Sequence, residues 1–292
     1  MVCPPSDLQE RLGQALGCHP ATFEPVDGGY TPAARWRFVC GGAKLFAKVA
    51  TNESTATALR REAHAYRQIR GSFIPALVAW SDHVTHPILV LEDLSAAQWP
   101  PPWRNWEVEA VLSAVETMHT SNCDMPAYAE VHAARGDNWA EVALDPRPFL
   151  NLGLVSRAWL DRALPMLLQA ESECATEGTA LTHWDLRSDN LCLVQGSPKF
   201  IDWPGACRSN PALDTGFWLP SLAYEGGPDP STILPGRPDV AAWVSGFFAA
   251  RAGLPFIPDA PRVRQVQREQ LQTALRWVAN EVGLPEPPAQ RA

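Results

Sequence analysis

The residues able to do chemistry are concentrated between positions 181 and 202. The run Leu-Thr-His-Trp-Asp-Leu-Arg-Ser-Asp-Asn, residues 181–190, is followed by Asp202 in Ile-Asp-Trp. It presents His183, Asp185 and Asn190 in the spacing H-x-D-L-x-x-x-N, then a further carboxylate. That set suits phosphoryl transfer from ATP. One carboxylate, Asp185, meets the hydroxyl of an acceptor. An amide oxygen from Asn190 and a second carboxylate from Asp202 hold Mg²⁺ on the phosphates. A single Asp or Asn ahead of an apolar strand more often marks a turn, and Asp189 reads equally well that way. The joint pattern is what carries the chemical reading.

Such residues need elements to bring them together. Residues 191–194, Leu-Cys-Leu-Val, then Gln-Gly-Ser-Pro, then Lys-Phe-Ile-Asp read as a hairpin, with Asn190 where it begins and Asp202 where it ends. Their oxygens can then meet at one ion. Upstream, Ser6 reads as the N-cap of a first helix. Residues 22–27, 34–40 and 44–50 read as three antiparallel strands turning at Gly28-Gly29 and Gly41-Gly42. A helix over 54–70, ended by Gly71, and strands over 76–80 and 87–94 follow. Beyond Ser95 the pattern turns helical, near 105–120, 153–173, 211–224, 239–251 and 260–281. The expectation is an α+β, bilobal fold: a small antiparallel-sheet lobe over 1–94 and a larger helical lobe over 95–292.

Composition narrows the class. The 292 residues carry a net charge of -8, which argues against nucleic acid or an anionic membrane as partner. No apolar run of transmembrane length and no secretory signal is present, so a cytoplasmic protein, by default a monomer, is expected. The seven cysteines form no C-x-x-C pair, and Cys40, Cys192 and Cys207 read as small core residues. The 28 prolines sit at element ends, and residues 285–292 read as a frayed tail.

The motifs together resemble the aminoglycoside phosphotransferase family, small-molecule kinases of protein-kinase-like fold, which usually read H-G-D-L-x-x-x-N and then I-D-W or I-D-F. The resemblance runs from about Phe23 to about Val282. It implies that Gly28 and Gly29 lay backbone N–H groups over the phosphates of ATP, with Thr31 in the place of the family's Ser or Thr. It implies that Lys48 contacts the α- and β-phosphates and that Glu62, in the next helix, pairs with it. The more exposed Lys44 reads as solvated. Adenine would be read by backbone groups from Glu92 to Leu94. Asp185 becomes the residue that meets the acceptor hydroxyl, with Asn190 and Asp202 as Mg²⁺ ligands. Arg187 is either a stabiliser of the transferring phosphate or a solvated loop arginine. His183 and Asp214 brace the loop, and His119 reads as a satisfied core histidine. Trp184 replaces the family's usual Gly, and either narrows the acceptor site or packs outward.

The implied activity is transfer of the γ-phosphate of Mg-ATP to a hydroxyl of a small molecule: aminoglycoside-like, amino alcohol or sugar. The alternative is a catalytically silent nucleotide-binding relative. The acceptor is expected among the helices after Asp214, near Trp218, Tyr224, Glu225 and Asp229, and is read as cationic on the strength of those carboxylates and of Trp184 and Trp218. The stretch 99–106, Trp-Pro-Pro-Pro-Trp-Arg-Asn-Trp, either walls the cleft or packs on the lobe.

Overall fold

The computed structural model describes residues 4–132 and 138–287. The chain opens with helix α1 (Ser6–Leu16) and strands β1 (Ala21–Pro25), β2 (Ala34–Cys40) and β3 (Ala43–Val49). Helix α2 (Glu53–Gln68), β4 (Leu77–Ser81) and β5 (Ile88–Glu92) complete the first part. The five strands form one antiparallel sheet in the order β1-β2-β3-β5-β4. Alternation gives this sheet two unlike faces. Trp36, Phe38, Leu45, Ala47 and Val49 face α1, whose Leu8 and Leu12 complete a small core with them. Arg35, Arg37, Phe46 and Lys48 take the opposite face and look into the cleft.

Helix α2 is set by a reciprocal cap. Asn52 Oδ1 accepts the Thr55 N–H at 2.9 Å, and Thr55 Oγ1 accepts the Asn52 N–H at 3.0 Å. The helix stops at Ile69, which is already extended, two residues before the Gly71 expected to end it. Ser6 is likewise the first residue of α1 and not its cap; the preceding position is Pro5. Cys40 is buried as expected but is bonded to Cys18, tying the end of α1 to β2. Cys192 and Cys207 are buried free thiols.

The helical part begins with α3 (Asn105–His119). Three short helices follow, α4 (Tyr128–His132), α5 (Asn138–Leu144) and α6 (Arg147–Leu150), in a region where the sequence signals none. Each is too short to show a helical period. Then come α7 (Arg157–Ser172), β6 (Ala180–Thr182), β7 (Leu191–Val194), β8 (Ser197–Phe200), β9 (Cys207–Ser209), α8 (Pro211–Tyr224), α9 (Pro230–Ile233), α10 (Pro238–Ala252) and α11 (Val263–Glu281). Ser156 caps α7 through the Trp159 N–H, so that helix starts later than its apolar pattern suggests. The main core gathers Trp139, Phe149, Leu167, Phe217, Trp218, Val244, Leu275 and Trp277, all buried. Of the tail, residues 288–292 lie outside the described residues, while Pro285 is held by the Trp159 indole N–H at 2.9 Å.

The hairpin β7–β8 forms as expected. Gln195 and Gly196 both take positive φ, 50° and 84°, as a tight two-residue hairpin turn requires. The hairpin is sewn to the residues after β5. Gln98 and Leu193 exchange backbone hydrogen bonds at 2.9 and 2.8 Å, and Lys199 Nζ donates to Glu92 Oε1 at 2.6 Å. The Phe200 N–H also reaches Phe73 O at 2.7 Å.

Candidate active site

The loop between β6 and β7 is locked from behind by α8. Pro211 opens that helix and Asn210 caps it through the Ala212 N–H at 3.0 Å. This aims the fully buried Asp214 at the loop. Its carboxylate accepts the backbone N–H groups of His183 at 2.9 Å and Trp184 at 2.8 Å, and meets His119 Nε2 at 3.2 Å. Burial pushes the Asp214 carboxyl up, but the bond and charge of His119, with His183 behind them, hold it below the usual carboxylate range. His183 is structural as well. Its Nε2–H donates to Ile201 O at 2.9 Å, and its Nδ1 accepts the Asp185 N–H at 3.3 Å. Burial lowers its pKa, so the neutral ring serves both bonds with one tautomer.

Besides Gln195 in the hairpin turn, two residues here take the left-handed conformation without being glycine: Trp184 at φ 63° and Asp202 at φ 67°. Such positions hold only where the surroundings over-determine them. At Trp184 the surroundings are aromatic. The ring is 2% exposed, packs among Tyr128, His132, Phe217 and Trp243, and donates its indole N–H to Ser209 Oγ. It is buried in the main core.

What the braced loop presents is Asp185, whose side chain is 48% exposed. Burial of its surroundings raises the carboxyl pKa, Arg187 opposes this, and Asp202 adds to it. Asn190 Nδ2 donates to Asp185 O at 2.8 Å and Oδ2 at 3.0 Å, which leaves its own Oδ1 for another partner. Arg187 is not a solvated arginine: its Nε lies 3.4 Å from Asp185 Oδ1 and 3.3 Å from Asp189 Oδ1.

Across the cleft, Lys48 Nζ donates to Glu62 Oε2 and to Asp202 Oδ1, both at 2.8 Å. The pairing with Glu62 is the expected one; the bond to Asp202 joins it to the hairpin. Burial disfavours the ammonium, but Asp202 and Glu62 outweigh it and raise the Lys48 pKa. Asp202 is held low by Lys48 despite its own burial. Its Oδ2 remains. Together with Asn190 Oδ1 it offers two hard oxygen donors, on segments linked by the Ile201 N–H to Asn190 O bond of 2.9 Å. That donor set fits Mg²⁺, which takes few protein ligands and fills the rest from phosphate and water.

A cavity of about 710 Å³ runs between these groups. Gly28, Gly29, Lys48, Glu62, Glu92, Leu94, Asn190 and Asp202 all line it. Thr31 does not: its hydroxyl accepts from Arg35 at 3.1 Å, and its neighbour Tyr30 takes the place on the wall. Tyr30 reaches over the cleft, donates to Asp189 Oδ2 at 2.7 Å and lies under the Arg187 guanidinium, 4.6 Å from its ring centre. Asp185 and Arg187 border this contact and lie outside the cavity wall. The Glu92 side chain is committed to Lys199 and to the Ala76 N–H, so Glu92 faces the cavity with its side chain already spoken for. Tyr30, Arg35, Trp99 and Asp189 are wall residues not singled out for this role in the sequence reading, although Trp99 belongs to a stretch read as a candidate wall.

The sequence profile described as the phosphotransferase enzyme family matches residues 22–266. The chain belongs to this family. It is a small-molecule phosphotransferase, a kinase acting on hydroxyl groups. Among curated proteins none matches it in sequence. A thermostable mutant of the aminoglycoside phosphotransferase APH(4)-Ia, solved in ternary complex with ADP and hygromycin B, has the same fold. It is 15% identical, with 95% of this chain and 98% of that one covered and a TM-score of 0.61. A choline/ethanolamine kinase family protein from Mesorhizobium loti is 16% identical, with 90% and 92% covered and a TM-score of 0.55. No helix among the described residues of this phosphotransferase is long and apolar enough to cross a membrane.

The acceptor side departs from expectation. Trp184 and Trp218 are 2% and 0% exposed and offer no ring face to a ligand. Glu225 accepts the Trp103 indole N–H at 2.8 Å, and Asp229 caps α9 through the Ser231 N–H. The two tryptophans and one oxygen of Glu225 are thus committed within the fold of this phosphotransferase, while Asp229 stays exposed and spends one oxygen on its cap. Trp103 packs on Trp218, whereas Trp99 lines the cavity, so the tryptophan-proline stretch both packs and walls.

Proposed function

We propose that the chain moves the γ-phosphate of Mg-ATP to a hydroxyl of a small molecule such as an aminoglycoside-like compound, an amino alcohol or a sugar. Residues 1–94 carry the nucleotide end; residues 95–292 carry the catalytic loop and acceptor site. The observation that carries this reading is the chain of contacts from Glu62 through Lys48 to Asp202, facing Asn190 and its bonds to Asp185. Transfer of a phosphoryl group asks little covalent work of the protein and much positioning.

In this reading the adenine end lies against the backbone of Glu92 to Leu94. The N–H groups at Gly28 and Gly29 cover the phosphates, and Lys48, oriented by Glu62, anchors them. Thr31 serves by holding the loop through Arg35. Asn190 and Asp202 hold Mg²⁺, which when bound neutralises charge on the phosphate oxygens. Asp185 accepts a hydrogen bond from the acceptor hydroxyl and aligns its oxygen for in-line attack. Arg187, at the border of that site, stabilises the charge of the transferring group. That APH(4)-Ia was solved in ternary complex with ADP and hygromycin B supports binding of a nucleotide and an acceptor together. A silent nucleotide-binding relative has no use for a half-exposed Asp185 held so closely.

The test is Asp185→Asn assayed with a panel of hydroxylated acceptors. Turnover falls by about 10²–10⁴-fold while Mg-ATP affinity stays within a few-fold, because this carboxylate meets the acceptor and not the nucleotide. A variant retaining a tenth of wild-type turnover defeats the assignment.

A further inference from the structure

Arg35 stands directly opposite Lys48 in the β2–β3 register. Directly opposed side chains share a face, and two like charges there repel. The two cations have unlike surroundings. Lys48 has two carboxylates at 2.8 Å. The Arg35 guanidinium donates only to neutral oxygens: Ala33 O at 2.8 Å, Thr31 O at 3.3 Å and Thr31 Oγ1 at 3.1 Å. Among the described residues no carboxylate pairs with it. Arg37, two positions on and on the same face, pairs with Glu24 at 3.1 Å, so the shortage belongs to Arg35 alone.

The placement of the guanidinium is specific. It lines the cavity and lies beneath the glycine turn. A Cβ at Gly29 would collide with its Cζ and Nη2 atoms, so the absence of a side chain there makes room for it, besides permitting φ 76°. Of its five N–H groups, three are used on the loop. The Nε–H and one Nη2–H remain uncommitted. A planar donor fork with two free hydrogens is the geometry that matches a phosphate.

We propose that Arg35 is a second phosphate-binding side chain of the cleft, engaging the polyphosphate of a nucleoside di- or triphosphate alongside Lys48. The carboxylates of Glu62 and Asp202 feel the Arg35 charge without bonding to it, and the anion supplies the direct partner that the guanidinium lacks. The same guanidinium holds Thr31 and Ala33, so phosphate contact and loop shape are joined in one residue. This rests on the nucleotide reading above.

The test measures ADP and adenosine binding by calorimetry, with Mg²⁺, for wild type, Arg35→Gln and Arg35→Lys. Arg35→Gln weakens ADP about tenfold, as loss of a charge-assisted hydrogen bond predicts, and leaves adenosine within twofold. Arg35→Lys keeps the charge and recovers at least half of that loss on a logarithmic scale. A wild-type protein that binds no ADP defeats the nucleotide reading itself. ADP binding that is unchanged in Arg35→Gln overturns the Arg35 proposal alone. Equal losses for ADP and adenosine also overturn it, since they mark a residue that only shapes the lobe. A folded Arg35→Lys protein as weak for ADP as Arg35→Gln overturns the assignment of charge.

Discussion

Tyr30 and Asp189, 159 positions apart, share a hydrogen bond of 2.7 Å that crosses the cleft. The phenol sits under Arg187, and burial together with Asp189 pushes its pKa up, so it remains a donor. The glycine turn is therefore fastened to the loop between β6 and β7 by its own next residue.

Removing that hydroxyl loosens the turn. Tyr30→Phe raises amide hydrogen exchange over residues 28–31 in the nucleotide-free protein by about fivefold, from the loss of roughly 1 kcal/mol at a partly exposed bond to a charged group. Exchange identical to wild type would show that the clasp contributes nothing to closure.

The Lys48 network makes a second prediction. Lys48→Met strands the Glu62 carboxyl in a buried place, and removal of one partner of a buried pair costs about 3–5 kcal/mol. The lower end applies, because Asp202 keeps contact with water. Adding Glu62→Gln returns part of the loss. Urea denaturation of both single variants and the double variant gives the coupling, and strict additivity would separate the two residues.

Trp184 sets strain against burial. Glycine relieves about 1–2 kcal/mol of left-handed strain, but loss of a large buried aromatic costs about 3–5 kcal/mol. Burial wins. Trp184→Gly is expected to lower stability by about 2–3 kcal/mol despite restoring the residue usual in the family. A stabilised variant would mean that the aromatic packing around it is weak.

Acid lability has two sources with different windows. The folded pKa of His183 lies below its unfolded value of about 6.5. Between the two values the unfolded chain binds a proton that the folded chain refuses. Stability therefore falls as pH drops below about 6.5, and levels once the folded ring protonates. Asp214 and Asp202, held low, keep their contribution until pH falls below about 3.9, then lose it toward their folded values. Thermal melts across pH 7 to 3 (roughly the span of both windows) show two limbs. His183→Gln removes the first, and an unchanged first limb in that variant would assign it elsewhere.

The sequence makes some of this legible and hides the rest for physical reasons. His183, Asp185, Asn190 and Asp202 stand out because the roles proposed for them need particular atoms at short, fixed spacing. Lys48 and Glu62 follow from the cost of burying a lone charge. Tyr30 and Asp189 are not legible, since their meeting depends on how far the two lobes close. Arg35 hides for a similar reason: only the strand register sets it opposite Lys48. Trp184 gives no hint of its direction, because a left-handed backbone turns a side chain away from where neighbouring spacing would place it. The short helices between 121 and 152 fall below the length at which periodicity can speak.

The hairpin that carries Asp202 is fastened to the segment after β5 by Gln98, Leu193, Lys199 and Glu92. Its consequence is metric. With both ends of the cleft held on one stitched frame, the span from Leu94 to Asp202 acts as a ruler. Under the nucleotide reading proposed above, a ligand anchored at the first mark would be sorted by length: one with too few phosphates would stop short of the second mark, however well its base were received.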